Sequence, residues 1–256
     1  MSPAISLNQR LLDLSLPAAA AELDHLAQRA AAEHWSYSDF LEKLLVIEAA
    51  ARLKRNGELA RKMANLPFIK TLESFDFDAQ PGVDRLMIDE LATLRFVDEG
   101  RGLVLLGPPG VGKTHLAISL ALRLCDQGRR AYFTSALDLV AKLSLALSEN
   151  RLRVAIQNYV RPSLLVIDEV GYLQLDKLQA SLLFQVVCKR YDAQAPIIIT
   201  SNKPFTQWGE VFAQDTVLAA ATLDRLLHKA TVINIKGPSY RIRDKVAAAK
   251  GGDAMS

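Results

Sequence analysis

Cysteine is scarce in this chain of 256 residues: there are two, Cys125 and Cys188. Each sits in an apolar, helix-like run and neither has metal-type spacing, so buried free thiols in a reducing, cytoplasmic setting are expected. Histidine is as thin: His25, His34, His115 and His228 are scattered and suggest no metal site. Long uncharged apolar runs are missing. Asp13, Glu22 and Asp24 break up the first 25 residues, which excludes a secretory leader and an evident membrane span. A large net charge is missing too. The formal value is +3, so any nucleic-acid interface has to come from how charge is distributed. No internal repeat is present. What the chain does have is 50% hydrophobic and 23% charged residues. That is enough for a sizeable core in one large domain, or one domain with a small appendage.

Gly107-Pro108-Pro109-Gly110-Val111-Gly112-Lys113-Thr114 satisfies the phosphate-binding loop pattern G-x-x-x-x-G-K-[ST] at every fixed position. An apolar run, Leu103 to Leu106, leads into it, and a helix-like run, His115 to Cys125, leads out. This strand–loop–helix context is what the pattern needs. Glycines let the backbone approach phosphate oxygens, and the loop amides and helix N-terminus offer positive potential to the anion. Lys113 is expected to reach the β- and γ-phosphates of ATP, and the Thr114 hydroxyl to hold Mg²⁺.

Residues 1–70 read as a helical domain. Ala18 to Ala32 is rich in alanine and leucine, and Ser36 and Asp39 stand at capping-box spacing before a second helix. That helix carries Phe40, Leu41, Leu44, Leu45, Ile47 and Ala51 at helical periodicity, with Gly57 as its expected stop. Nine Lys/Arg against eight Asp/Glu over 1–70, with an apolar face, suit a protein contact better than DNA reading. Residues 71–82 read as a linker in which Phe75 and Phe77 alternate with acids before Pro81-Gly82, the aromatics pinning it to the next domain. Val83 to Phe96 reads as one helix. From there strands and helices alternate, with strands expected at Leu103–Leu106, Ala131–Thr134, Leu164–Ile167, Ile197–Thr200 and Val232–Ile235. This is an α/β pattern: a five-stranded parallel sheet covered by helices on both faces, over residues 83–246, with ligands at the carboxyl ends of the strands. Residues 247–256, small and polar, read as a disordered tail.

Two further strand ends carry chemistry. Leu164-Leu165-Val166-Ile167 delivers Asp168 and Glu169, 54 residues after Thr114. Asp168 suits a water-shelled Mg²⁺ and Glu169 suits a water-orienting base, which argues for hydrolysis over transfer to a small acceptor. Ile197-Ile198-Ile199-Thr200 delivers Ser201 and Asn202. If that strand neighbours the phosphate-loop strand, the Asn202 amide reaches the γ-phosphate or the water. The alternative is a turn cap. Charge is also uneven. Residues 225–250 hold Arg225, Lys229, Lys236, Arg241, Arg243, Lys245 and Lys250 against Asp244 alone, a local +6. Residues 123–161 hold seven Lys/Arg against three acids, a local +4. Such runs are either solvated faces or phosphate-binding strips.

Together, GPPGVGKTHLA (107–117), LLVIDEVG (164–171), TSN (200–202), DRLL (224–227) and Ser239-Tyr240-Arg241 resemble the IstB family over roughly residues 35–245. These are AAA+ ATPases that assist insertion-sequence transposition and are related to the DnaC helicase loader. The resemblance implies an AAA+ P-loop fold with a helical start and no C-terminal lid domain. It implies ATP and Mg²⁺ at residues 107–114, with Asp168 and Glu169 as metal and catalytic carboxylates and Asn202 as first sensor. Arg225 matches an arginine finger that acts on the neighbouring subunit. Arg241 matches the second sensor or, without a lid to carry it, a DNA contact. It further implies a homo-oligomer that assembles with ATP on double-stranded DNA without sequence specificity and recruits a cognate transposase. Other readings are a DnaC-type helicase loader, a monomeric P-loop kinase, and a DNA-bending protein whose ATP site is a structural switch. Glu169, Asn202 and the late arginines argue against the kinase.

Overall fold

The protein is described by a computed structural model over residues 6–240. Three helices open it: α1 (Leu7–Asp13), α2 (Pro17–Ala32) and α3 (Tyr37–Met63). The Ser36/Asp39 capping box starts α3 as its spacing predicts. Helix α2 has no side-chain cap of its own, and the buried Glu48 on α3 supplies one, accepting from the Ala18 and Ala19 amides at 2.8 and 3.1 Å. Burial pushes the Glu48 carboxyl up, but Arg55 and those two amides outweigh it and hold the group below its ordinary value. Ala19, Leu23, Leu26 and Leu44 form a small core of their own here.

Gly57 does not end α3, which continues to Met63. Glycine stands there because the helix crosses the end of another: a Cβ at Gly57 would meet the Cys125 carbonyl oxygen at 3.2 Å. The second half of α3 belongs to the main core, which includes Ala60 and Ala64. The helix expected over Val83–Phe96 is two, α4 (Arg85–Leu91) and α5 (Arg95–Asp98). Thr93 Oγ1 donates to the Glu90 carbonyl and the buried Leu94 takes φ +64°, which turns the chain between them.

The sheet comes next in the chain: β1 (Gly102–Leu106), α6 (Lys113–Asp126), β2 (Ala131–Ser135), α7 (Ala136–Ser148), α8 (Leu152–Val160), β3 (Leu164–Val170), α9 (Lys177–Asp192), β4 (Ile197–Ser201), α10 (Trp208–Val211), α11 (Thr216–Leu227) and β5 (Ala230–Asn234). All pairings are parallel, in the order β2-β3-β4-β1-β5. Alternate residues on each strand feed opposite cores, as period-2 geometry requires. Leu103, Leu105, Leu164, Val166 and Ile198 face the α6 side. Val104, Leu165, Ile167 and Ile199 face the side of α7, α9 and α11. Helix α6 is buried along most of its length, with the sheet on one side and α3 on the other. Of the two thiols, Cys125 is buried and Cys188, on α9, is partly exposed, short of the burial expected for it. No helix among the described residues is long and apolar enough to cross a membrane.

Candidate functional site

Strand β4 lies directly beside β1, with Leu106 opposite Ser201, so the phosphate loop and the Ser201-Asn202 end share one rim of the sheet. On β4's other side β3 brings Asp168 and Glu169 to the same rim. Three strand ends that are distant in sequence therefore converge.

Within the loop, Gly107, Gly110 and Gly112 take φ of +149°, +84° and +95°, a region costly for any residue with a side chain. Pro108 and Pro109 are exposed, while Val111 is fully buried and anchors the loop from beneath. Lys113 Nζ donates to the carbonyls of Gly107 and Pro108 at 2.7 and 2.8 Å, which draws the amine across the loop. Thr114 Oγ1 donates to the Asp168 carboxylate, at 2.9 Å to Oδ1 and 3.1 Å to Oδ2. A hydroxyl and a carboxylate held this close are the hard oxygen donors that Mg²⁺ takes, with water and phosphate completing its shell. The described residues hold no group of three or more His, Cys, Asp or Glu side chains placed to hold a metal ion.

Thr200, at the end of β4, has a role that sequence reading missed. Its hydroxyl donates to Asp168 Oδ1 at 2.5 Å and accepts from the Glu169 amide at 2.9 Å. The register between β3 and β4 shifts between Ile167 and Val170, and Glu169 takes φ +61°. The result is a buried Asp168 and an exposed Glu169 on consecutive residues. Asn202 is half-buried, and its Oδ1 is enclosed without a hydrogen-bond partner among the described residues.

The segment read as a linker lies on the loop. Phe75 is buried with its ring edge-on to His115 at 5.1 Å between centroids. His115 Nε2 lies 2.8 Å from the Thr71 carbonyl, which can only accept, so that nitrogen carries the proton. Burial depresses the imidazole's affinity for a second proton, and Lys70 depresses it further. On the far side the chain after β5 closes over the loop: Ile235 N–H donates to the Leu106 carbonyl and Tyr240 N–H to the Gly110 carbonyl. Phe68, Phe75, Gln80, Tyr240 and residues 110–115 line a cleft of about 230 Å³.

Arg225 is not at this rim. It lies on α11, its guanidinium over the Phe184 ring at 5.2 Å, in a hollow with Gly102 and Pro196 at the amino ends of β1 and β4. Arg241 falls outside the described residues. The segment 123–161 contains edge strand β2, and the described part of the other, residues 225–240, contains the opposite edge strand, β5. Arg129 is paired with Asp98, Arg123 with Glu73 and Arg151 with Glu149, whereas Arg130, Lys142, Arg153 and Arg161 are exposed with no ion pair among the described residues.

A five-stranded parallel sheet in this order, with a phosphate loop after β1 and an acidic pair near the end of β3, defines a P-loop nucleotide-binding protein of the AAA+ type. Residues 9–248 match the model of the IstB-like ATP binding protein family, and the chain belongs to that family. It is 47% identical over 232 residues to a protein of Geobacillus stearothermophilus described as an ATP-binding protein of insertion sequence IS5376, covering 91% of this chain and 92% of that one. It is also 47% identical over 223 residues to the corresponding protein of insertion sequence IS21 from Pseudomonas aeruginosa, covering 87% and 83%. Among solved structures, that of DnaI matches with a TM-score of 0.56 at 23% identity, over 69% of this chain and 94% of that one. AMPPCP-bound DnaA from Aquifex aeolicus matches with a TM-score of 0.55 at 20% identity, over 72% and 56%. Both of these are likenesses of fold.

Proposed function

We propose that this insertion-sequence ATP-binding protein is an ATP hydrolase that assembles as a homo-oligomer on double-stranded DNA and there recruits or stimulates its cognate transposase in the cytoplasm. The observation that carries the hydrolase reading is the Thr114–Asp168 pair at 2.9 Å, set beneath the loop with Glu169 exposed one residue on. Residues 107–114 bind the phosphates of ATP, and Lys113 leaves the two carbonyls for the β- and γ-oxygens. Thr114 and Asp168 hold Mg²⁺, which supplies charge neutralisation on the phosphates when bound. Glu169 orients a water and takes its proton. Asn202, with an enclosed amide oxygen beside the loop, acts as first sensor. Arg241 is assigned to a second-sensor or DNA contact.

The position of Arg225 favours action in trans. Strand β1 separates its hollow from the loop of the same subunit by about 13 Å, taking ~3.3 Å per residue. It therefore serves a neighbour's site, which ties hydrolysis to assembly. The exposed cations beside β2, with those of 225–250, neutralise DNA phosphates and make binding steeply salt-dependent. Residues 83–246 form the ATPase domain. Residues 1–70, apart from the half of α3 lent to the core, serve as the protein-contact domain, joined through 71–82. Sedimentation with a slowly hydrolysed ATP analogue and long duplex DNA tests this. The parent chain is expected to form large complexes and Lys113→Ala to stay a single particle. A parent that stays single with both ligands present overturns the reading.

A further inference from the structure

Strands β3 and β4 fall out of step at the acidic pair. Ile167 stands opposite Ile199 and Val170 opposite Ser201, so two residues of β3, Asp168 and Glu169, face one of β4, Thr200. That is a β-bulge, a device that bends a strand and re-aims its side chains. Before it the ladder is regular, and the Leu165 amide donates to the Pro196 backbone carbonyl at 3.3 Å. In an unbroken ladder every second amide faces the same neighbour, so the Glu169 amide would meet the backbone of β4 in the same way. It donates instead to the Thr200 side-chain hydroxyl at 2.9 Å.

The polarity of that hydroxyl is set by its neighbours. An amide N–H only donates, so Thr200 Oγ1 accepts from Glu169, and its single proton goes to Asp168 Oδ1 at 2.5 Å. Thr200 is 1% exposed, which leaves water little access to stand in for either bond. Glu169 holds φ +61°, a conformation uncommon outside glycine that persists only where the surroundings enforce it. They do so on both sides of the residue: Thr200 takes its amide, and the Tyr172 amide donates to its carbonyl at 3.2 Å. Valine has the shape of threonine without the hydroxyl. With valine at 200 the Glu169 amide regains an acceptor on β4 only by a return to the regular ladder, which removes the bulge.

We infer that Thr200 is a positioning residue for hydrolysis: its hydroxyl stands in for a ladder carbonyl, holds the bulge and so aims the Glu169 carboxylate at the attacking water. This rests on the reading of Glu169 as the group that orients that water. Thr200 acts through Glu169 and touches neither the nucleotide nor the water.

The test is a kinetic cycle on the full chain with duplex DNA and saturating magnesium. ATP affinity and turnover per nucleotide-binding site are measured for the parent, Thr200→Val, Thr200→Ser, Glu169→Gln and the Thr200→Val, Glu169→Gln double variant. Thr200→Val is expected to lose on the order of 10–10² in kcat, the scale of a misplaced catalytic group, with ATP affinity little changed. Thr200→Ser, which keeps the hydroxyl, is expected to recover most of that loss. The double variant is expected to be no slower than Glu169→Gln, because a positioning residue has nothing left to position. A merely structural role would lower the melting temperature and leave turnover per intact site at the parent's level, and that result overturns the inference. Losses that multiply in the double variant place the effect of Thr200 elsewhere and overturn it too. Should Thr200→Val not fold, Thr200→Cys, whose thiol is a poor acceptor, is the second variant, and parent-level turnover in it overturns the inference again. A parent without turnover, or a Glu169→Gln variant as fast as the parent, removes the hydrolase reading and this inference with it. With a working parent and a slow Glu169→Gln, a Thr200→Val variant as fast as the parent removes this inference alone.

Discussion

The ring of Phe75 lies against Gly112 so closely that a Cβ on the glycine would sit 2.5 Å from the ring's Cε2. The segment before the sheet and the phosphate loop are therefore in direct contact, and neither can shift far alone. Phe75→Ala should lower stability by about 3–5 kcal/mol, the usual cost of emptying a buried aromatic site. It should also weaken nucleotide binding, because the loop loses the ring that backs Gly112. Thermal melting with and without ATP checks both. A variant that melts lower but binds ATP as the parent does would separate loop geometry from Phe75.

Asp168 and Glu169 are neighbours with different surroundings, one buried between two hydroxyls and the other exposed. Glu169→Gln should keep ATP binding and cut turnover by about 10²–10⁴, the range for losing a general base. Asp168→Asn should instead weaken the magnesium dependence of binding. Steady-state hydrolysis together with nucleotide binding at varied magnesium tells the two apart.

Arg225→Ala should bind ATP normally and lose hydrolysis by about 10³ or more, as arginine-finger variants do. A finger acting in trans makes a sharper prediction. Mixing Arg225→Ala with Lys113→Ala, each inactive alone, should restore part of the turnover, because an intact loop on one subunit then meets an intact arginine on the other. Absence of any recovery in the mixture counts against the assignment.

His115 gives a pH signature. Burial holds its pKa below the ordinary 6.5, with Lys70 adding to the effect and the bond to Thr71 opposing it. The unfolded chain therefore takes up this proton first as pH falls. The stability involved is fully present above 6.5 and is lost as pH drops through that value toward the folded pKa. His115→Gln keeps an N–H for the Thr71 carbonyl but does not titrate. Melting temperatures between about pH 5 and 7.5 should fall less steeply with acid for the variant than for the parent. Parallel curves would remove His115 from the pH response.

The fold class, the strand positions and the phosphate loop were legible in the sequence because each depends on local chemistry. Short apolar runs bounded by breakers make buried strands, and the loop's glycines are required by its own backbone. Where expectation missed, a long-range contact had overridden a local cue. Gly57 looks like a helix stop, yet it sits mid-helix because Cys125 passes close by. The run Val83–Phe96 keeps a helical pattern, yet turns at Leu94 where the side chain is buried.

By itself, then, the sequence determined that a nucleotide loop, an acidic strand end and a polar strand end exist, and that they alternate with helices. Tertiary structure alone decided that β4 stands between β1 and β3, which makes Thr200 the link between the Asp168 carboxylate and the Glu169 backbone amide, and that Arg225 lies at the opposite end of the sheet. Strand order is set by packing two helical layers over both faces at once. No stretch of chain carries that information, because each strand's neighbour is far away in sequence.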